Sequence, residues 1–536
     1  MNYSDQKNST VIANPFSRSA NLNLATVKDK VWDIIIIGGG ATGLGTAIDA
    51  ANRGLSTLLL EQADFAKGTS SRATKLVHGG VRYLAQGDIA LVREALRERG
   101  LLLKNAPHLV KNQSFIIPNY SWWDGVFYTV GLTMYDLLAG KLSLGRAAHI
   151  SKQAVLKRLP TIQDEHLHGG VVYHDGQFDD ARLAVNLAQT AIEQGAAVLN
   201  YVKVVNLLKD ADDRVAGVNA VDTETNIAYT FKARTVVNAT GIFVDEVMRM
   251  DAPEKKPMVR PSQGVHLVLD ASFMPAEDAL MIPKTSDGRV LFAVPWHGKL
   301  LVGTTDTLVE QFNMEPVALE TEIQFILETA GQYLKKAPTR QDVLSVFAGL
   351  RPLAAPQNGS SKTKEISRSH KIIISPTGLI TITGGKWTTY RQMGQDVVDM
   401  AVKTVKLKAG TSKTANLAIH GSLPHPDYNT HWYVYGADRP LIDILIKENP
   451  DWAQRVHPDD EYTKAEVIWS VRNEMARTVE DILARRVRVL FLNARLAIKM
   501  APLVAELMAG QLDKDIEWQQ QQIEAFNDLA KKYVLT

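Results

Sequence analysis

"DIIIIGGGATGLGTAIDAANRGLSTLLLEQ", Asp33 to Gln62, is the stretch whose reading decides the fold. Ile34 to Ile37 is a continuous apolar run, the mark of a strand buried on both faces. Gly38, Gly39 and Gly40 turn the chain, and Ala47, Ile48, Ala50 and Ala51 fit one packed helix face. Leu58 to Leu60 form a second strand, closed by Glu61. The unit is βαβ, with Gly38, Gly40 and Gly43 spaced as G-x-G-x-x-G between strand and helix. The first glycine allows the tight turn, the second lets the backbone approach a pyrophosphate, and the third permits close helix–strand packing. The helix N-terminus then faces the anion. Glu61 stands 18 residues after Gly43, placed to accept hydrogen bonds from a ribose hydroxyl pair. Motif, flanking strands and acid together predict a dinucleotide site.

Outward from this unit, composition sets bounds. A chain of 536 residues with 45% hydrophobic and 22% charged residues is ordinary for a globular protein of two or three domains. A net charge of +2 argues against nucleic-acid binding by the whole surface. There is no cysteine, which excludes disulfides, thiolate metal sites and cysteine nucleophiles. Redox chemistry here requires an organic cofactor.

The first 30 residues are polar and rich in Asn and Ser, and read as a flexible leader. They lack the apolar core of a secretory signal, and their acidic residues and scarce Arg disfavour a transit peptide. No run reaches the ~18 apolar residues of a membrane span. The nearest approach, Trp122 to Gly140, is broken by Asp124 and Asp136. It reads either as a segment lying at a membrane interface or as a buried core helix.

Helical patterns cover Asp88 to Lys104 and Asp180 to Gly195, and strand patterns follow each glycine turn. From about 258 to 345 the segments "GVHLVLD", "RVLFAVPW" and "KLLVGTTD" read as antiparallel strands with short turns. Beyond about 415 the pattern is mostly helical.

A second charged feature follows the βαβ unit. Between Asp64 and Asp88 there is no acidic residue, whereas Lys67, Arg72, Lys75, His78 and Arg82 gather there. This is either a solvated loop or an anion site. The glycine motif alone does not separate FAD from NAD. Two features favour flavin: "NATG" at 238–241 after a buried strand, and "TGGKWTTYRQMG" at 383–394, a further strand–glycine–helix turn. A helix N-terminus at the latter would stabilise negative charge on a reduced flavin.

These segments, in order, form a familiar set: the loop at 38–43, "TSSRATKLVHGGVRYL" at 69–84, "FDDARL" at 178–183, "VNATG", "VGTTD" at 302–306, "GLRPL" at 349–353 and "GGKWTTYR" at 384–391. Together they resemble the FAD-dependent glycerol-3-phosphate dehydrogenases, within the wider D-amino-acid-oxidase-like (glutathione-reductase-2) flavoprotein group. The resemblance covers about residues 31 to 400, and the helical tail also looks like that family's C-terminal domain.

The resemblance implies an α/β fold. A Rossmann-like FAD-binding domain would be assembled from 31–110, 160–257 and 345–410, with an antiparallel β substrate domain from 111–159 and 258–344 and a helical C-terminal domain from 415–536. It implies oxidation of sn-glycerol 3-phosphate to dihydroxyacetone phosphate, with electrons passed through FAD to a membrane quinone. The rivals are an oxidase that returns electrons to oxygen and an amino-acid oxidase on the same fold. A flavin-containing RNA binder is disfavoured by the near-neutral charge and the lack of an RNA-recognition motif.

By motif match, Arg82 and Tyr83 would line the substrate pocket, Arg351 would sit near flavin and substrate oxygen, and Arg368 would help hold the phosphate. Lys386 and Thr388 would lie near the flavin ring and substrate. Arginine suits such a site because its planar fork of donors matches phosphate. His266 of "QGVHLVL" is the candidate general base, since a histidine titrates near neutrality; a structural strand histidine, water as base, or an alkoxide held by Arg351 are the alternatives. Thr69, Ser70, Ser71, Lys75, His78, Gly79, Val204, Asn238, Thr240, Gly241 and Gly385 complete the expected cofactor contacts, with Gly38, Gly40, Gly43, Glu61, Lys386 and Thr388. No metal site is expected.

A quinone acceptor would require contact with a bilayer. The protein would then be monotopic, peripheral on the inner face of the cell membrane, docked through the aromatic segment at 122–138. Arg485, Arg486, Arg488, Arg495 and Lys499 form a basic helical stretch that either faces anionic lipid or is a solvated face. A homodimer is implied by the resemblance.

Overall fold

The computed structural model describes residues 14–81, 84, 87–285, 288–310, 312–354 and 370–535. Strand Ile34–Ile37 is buried at every position, as its unbroken isoleucine run requires. It lies inside a six-stranded sheet in the order Lys371–Ile374, Ile380–Thr383, Val236–Asn238, Ile34–Ile37, Thr57–Leu60, Ala197–Leu199. The four middle strands and Ala197–Leu199 run parallel, and only Lys371–Ile374 is antiparallel to its neighbour. The helix Ala41–Asn52 leaves the first strand directly through the glycine turn. Helices Asp180–Glu193 and Tyr390–Val405 pack beside it, so the sheet's apolar face is covered.

A four-stranded sheet, Val31–Trp32, Ala228–Ala233, Val215–Asp222 and Val202–Lys209, caps one end of this layer. The largest sheet is mostly antiparallel. Its path runs Thr307–Leu308, Val259–Asp270, Lys299–Gly303, Leu291–Trp296, Ala279–Ile282, Val110–Asn119, Gly169–Phe178, Leu76–Val77. Ser345–Ala354 pairs along Val259–Asp270, and Ala148–Ser151 along Gly169–Phe178.

Three assignments made from sequence differ here. Gly169–Phe178 and Ser345–Ala354, grouped above with the nucleotide-binding part, are long strands of the large sheet. Both begin or end next to nucleotide-binding segments, and only their pairing partners, far away in sequence, reveal which layer they join. The stretch read as a flexible leader is docked from Asn14 on: Arg18–Ala25 is a helix, and Arg18 pairs with Asp222 at 2.7 Å.

The third difference concerns the basic stretch. Arg485, Arg486 and Arg488 face neither lipid nor water; all three are at most 1% exposed. Arg486 donates to both Asp64 oxygens at 2.7 and 2.9 Å, and Arg485 reaches Asp64 at 2.5 Å and Asp481 at 2.7 Å. Burial alone would raise the Asp64 carboxyl, but Arg486 and Arg485 overcome it and bring its pKa to about 2. Buried charges persist only when paired in this way. Arg495 and Lys499 are exposed. The tail therefore does not form a separate body: Val489, Phe491 and neighbouring helices share one apolar core with Val268, Trp296 and Phe347 of the large sheet.

Helix Trp122–Ala139 is two-sided. Leu132 and Tyr135 are buried, while Val126, Phe127, Val130, Met134 and Leu137 recur at helical spacing on the outside, with Phe127 67% and Leu137 75% exposed. Among the described residues no helix is long and apolar enough to cross a membrane.

Candidate active site

Two adjoining cavities lie where the parallel sheet meets the large sheet. The first, about 1200 Å³ including open space, lies along the carboxyl ends of Ile34–Ile37, Thr57–Leu60 and Val236–Asn238. Open α/β sheets bind ligands at this edge. Gly38 and Gly40, Glu61, Thr69 and Ser70, Val204, Thr240 and Gly241, Gly385 and Lys386 all line it. Gly38 has φ +113°, a conformation that a side chain rarely adopts. Gly43 lines nothing: a Cβ there would stand 1.9 Å from the Gly38 carbonyl oxygen, so its role is the close packing the motif predicts.

Glu61 accepts hydrogen bonds from Gly39 N–H at 2.6 Å and Ala63 N–H at 2.9 Å. Desolvation raises its pKa, and the two backbone donors oppose that rise. Ala41 N–H, at the start of helix Ala41–Asn52, donates to Ser70 Oγ at 3.0 Å. A glycine-lined wall, a helix N-terminus and an acid at the second strand's end fit a flavin dinucleotide: the pyrophosphate belongs at the helix N-terminus and the ribose at Glu61.

The second cavity, about 1750 Å³ including open space, shares Thr69, Pro352, Gly384, Gly385, Lys386 and Trp387 with the first. His78, His266, Arg351 and Thr388 open onto it. The register of Val259–Asp270 places His266 opposite both Gly303 and Phe347, and Ser262 opposite Arg351. His266 is 2% exposed, stacks on Phe347 and lies 2.9 Å from Thr74 Oγ1. Burial, then the cations Lys75 and Arg351, push its pKa well below the usual histidine value, so the ring is neutral. Arg351 donates to Thr304 Oγ1 and to the Thr305 carbonyl, both at 3.1 Å, and lies 3.5 Å from Asp306.

The structure does not bring every expected residue to the cavities. Lys75 lines neither: it is wholly buried, donating to Asp180 at 2.8 and 2.9 Å and to the Ser71 carbonyl at 2.8 Å. A cation at that depth needs a carboxylate, and Asp180 supplies it where a cofactor contact was expected. Ser71, Gly79 and Asn238 also stand behind the walls. Asn238 donates to the Val244 carbonyl, and Gly79 N–H donates to Tyr135 Oη. His78 and Thr388 face the second cavity rather than the first and are joined through the His78 N–H and Thr388 Oγ1 at 3.2 Å. Arg82, Tyr83 and Arg368 lie outside the described residues.

Arg289 was missed from sequence. It lines the second cavity, half-buried beside Phe325. Its only signal was a cation at the entrance to strand Leu291–Trp296.

A dinucleotide cleft opening directly into a cation-lined chamber fits a flavin-dependent oxidoreductase. Residues 33–391 match the FAD dependent oxidoreductase family, and residues 375–522 match the C-terminal domain of alpha-glycerophosphate oxidase. The mitochondrial glycerol-3-phosphate dehydrogenase of Homo sapiens is 40% identical over 95% of this chain and 74% of its own length. That of Schizosaccharomyces pombe is 38% identical over 94% of this chain and 88% of its own. The glycerol-3-phosphate dehydrogenase of Bacillus halodurans, solved with FAD, superposes with a TM-score of 0.79 at 29% identity, covering 97% of this chain and 98% of that one. The chain therefore belongs to the FAD-dependent glycerol-3-phosphate dehydrogenase family, and its cofactor is FAD.

Proposed function

We propose that this protein oxidises sn-glycerol 3-phosphate to dihydroxyacetone phosphate and passes the electrons to a membrane quinone. The observation that carries the reading is the cavity itself: Arg289, Arg351 and Lys386 line a chamber that shares a wall with the flavin cleft. A phosphorylated substrate needs fixed cations, and each charge-assisted hydrogen bond contributes about 1.5–3 kcal/mol. Free glycerol forgoes those bonds, so the same chamber selects against it.

FAD, when bound, supplies the two-electron acceptor. The protein supplies position and proton handling. Arg351 and Lys386 favour negative charge on the substrate oxygen as its proton leaves. Neutral His266 is the acceptor for that proton, since its ring is already deprotonated in this setting. The low basicity that burial imposes is offset when the neighbouring cations stabilise the alkoxide itself.

For the acceptor side, we read the outward apolar face of Trp122–Ala139 as the surface that lies in the bilayer interface, on the inner face of the cell membrane. The family's quaternary state leads us to propose a homodimer, to be tested by sedimentation. The deciding experiment is anaerobic titration of the holoenzyme with glycerol 3-phosphate, followed at the flavin absorbance. Bleaching is expected, and its absence overturns the reading. The match of the tail to an oxidase domain supports one second reading, oxygen as acceptor. Peroxide formation by the purified enzyme at the rate of substrate oxidation, without quinone, would favour it.

A further inference from the structure

Gly79 sits in a gap of the chamber wall that neither strand nor helix supports. Strand Leu76–Val77 ends just before it, and His78, Gly80 and Val81 on its two sides all line the substrate chamber. Gly79 is buried, so its N–H needs a partner from another part of the chain. That partner is Tyr135, whose Oη accepts the bond at 2.7 Å. A Cβ on Gly79 would stand 2.5 Å from Leu96 Cδ2 and 2.6 Å from Tyr135 Oη. The bare backbone is what lets the phenol come this close.

Tyr135 lies on the inner face of helix Trp122–Ala139 and lines neither cavity. A phenol has one hydrogen to donate and can accept as well. Its hydrogen goes to Asp175, whose two carboxylate oxygens lie at 3.0 and 2.9 Å. Burial, then the charge of Asp175, raise the Tyr135 pKa well above its ordinary value, so the proton stays on the phenol. Asp175 is held in turn by Arg99 at 2.7 Å, and Arg99 also donates to the His174 and Leu142 carbonyls, each at 3.3 Å. Arg99, Asp175, Tyr135 and Gly79 thus form one buried series that ends on the chamber loop.

The same loop is pinned one peptide earlier from the flavin side. His78 N–H donates to Thr388 Oγ1 at 3.2 Å, and Thr388 follows Gly384 to Trp387, which line both cavities. Two successive amides are therefore tied to different parts of the molecule: His78 to the flavin wall and Gly79 to the surface helix.

We propose that Tyr135 is a positioning residue for the reaction: held by Asp175 and Arg99, it fixes the Gly79 peptide and thereby the place of His78 in the chamber wall. The proposal rests on the reading of this chamber as the substrate site. The helix read above as the membrane contact then carries part of the chamber on its inner face.

The test uses full-length FAD-loaded enzyme. The readouts are anaerobic flavin bleaching at saturating glycerol 3-phosphate, amide hydrogen exchange of the peptide spanning His78 to Gly80, and melting temperature. Tyr135→Phe removes only the hydroxyl. It should slow bleaching by about ten- to a hundredfold and speed exchange at His78 to Gly80, with flavin content unchanged. Met508→Ala is the stability control, since Met508 is buried in helix Ala494–Leu512 and lines neither cavity. It should lower the melting temperature at least as much, yet leave bleaching and exchange at the loop as in the wild type. Gly79→Ala pushes the backbone off the same hydroxyl and should slow bleaching as Tyr135→Phe does, with the double variant no slower than the slower single one. Wild-type bleaching in Tyr135→Phe overturns the proposal, and so does equal slowing in Met508→Ala. Slowed bleaching with wild-type exchange at His78 to Gly80 overturns the route through Gly79. Failure of the wild type to bleach at all would instead sink the substrate reading, while exchange would still decide whether Tyr135 holds the loop.

Discussion

The two cavities share a wall but are built on different principles. The flavin cleft is keyed by backbone: a glycine turn, a helix N-terminus and one acid at a strand end lie within residues 38–61, and Ser70, Val204, Thr240, Gly385 and Lys386 complete its wall. The substrate chamber is lined by residues from segments scattered over more than 300 positions of the chain, among them Thr74, His266, Arg289, Arg351 and Lys386. A backbone site tolerates no added volume but little specific chemistry is lost at any single side chain. A side-chain site has the opposite sensitivity. Substitutions at each should therefore fail in different ways.

The largest effect is expected at Gly43→Ala. The new Cβ would collide with the Gly38 carbonyl at 1.9 Å, and backbone on both sides cannot give way. Overpacking of this kind costs about 1–3 kcal/mol or more, and here it falls on the turn that receives the cofactor. The purified variant should contain little or no flavin, measured by absorbance after gel filtration. A normal flavin content would break the view of the cleft as a backbone site. Arg351→Ala comes next and should spare the flavin. It removes a cation from the chamber wall, and loss of one to two charge-assisted bonds should lower kcat/KM by about a hundred- to a thousandfold. Equal losses with phosphorylated and unphosphorylated substrates would show that Arg351 does not read the phosphate.

The same difference explains what was legible in the sequence. Ile34 to Leu60 announced its strands, turn and helix because every determinant is local and periodic. Glu61 could be placed because it ends the next strand of the same unit. Lys75 and Lys386 looked alike, each a lysine near paired glycines or hydroxyl residues. One is buried against Asp180 and the other lines both cavities. Nothing local separates them, since Lys75 is decided by Asp180 and Arg488, which arrive from elsewhere in the chain. The basic run at 485–488 misled for the same reason. Its partners Asp64 and Asp180 lie more than 300 residues upstream. Charge that has found a buried partner is indistinguishable in sequence from charge that awaits a ligand.

A smaller effect should separate docking of the tail from the chemistry of the chamber. His420 lies between Glu193 and Asp438, at 2.6 and 2.9 Å. Burial opposes its charge, but the two carboxylates prevail and raise its pKa to about 9. A histidine whose folded pKa exceeds its unfolded value of about 6.5 stabilises the fold fully below that value and loses the contribution as pH rises through about 9. His431, held by Glu461 and Glu466, is raised to about 9 as well. Thermal stability should therefore fall across the interval from pH 6.5 to 9, and His420→Gln should flatten the fall by lowering the acid end. Glu193 ends the helix that Asp180 begins. If the flavin bleaching rate at fixed pH changed as much as the melting temperature, docking of the tail and alignment of the chamber would be one event rather than two.

The smallest effect on turnover should come from the outward face of Trp122–Ala139, whose exposed side chains Val126, Phe127, Val130, Met134 and Leu137 line neither cavity. Phe127 and Leu137 project from the outer side of Trp122–Ala139, while Tyr135 on its inner side accepts from Gly79 N–H at 2.7 Å and donates to Asp175 at 2.9 Å. Asp175 lines the substrate chamber, so the helix has one face toward the site and one away from it. Replacing Phe127 and Leu137 together by Ser removes apolar surface that the fold does not use, and stability should change by less than about 0.5 kcal/mol. With a water-soluble electron acceptor, kcat and KM should match the wild type. Sedimentation with liposomes and quinone reduction should both decline, because burying two such side chains in an interface is worth about 1.5–3 kcal/mol each. Undiminished liposome binding would move the membrane contact elsewhere. A fall in turnover with the soluble acceptor would show that the outer face reaches the chamber through Tyr135, and the division between the two faces of this helix would no longer hold.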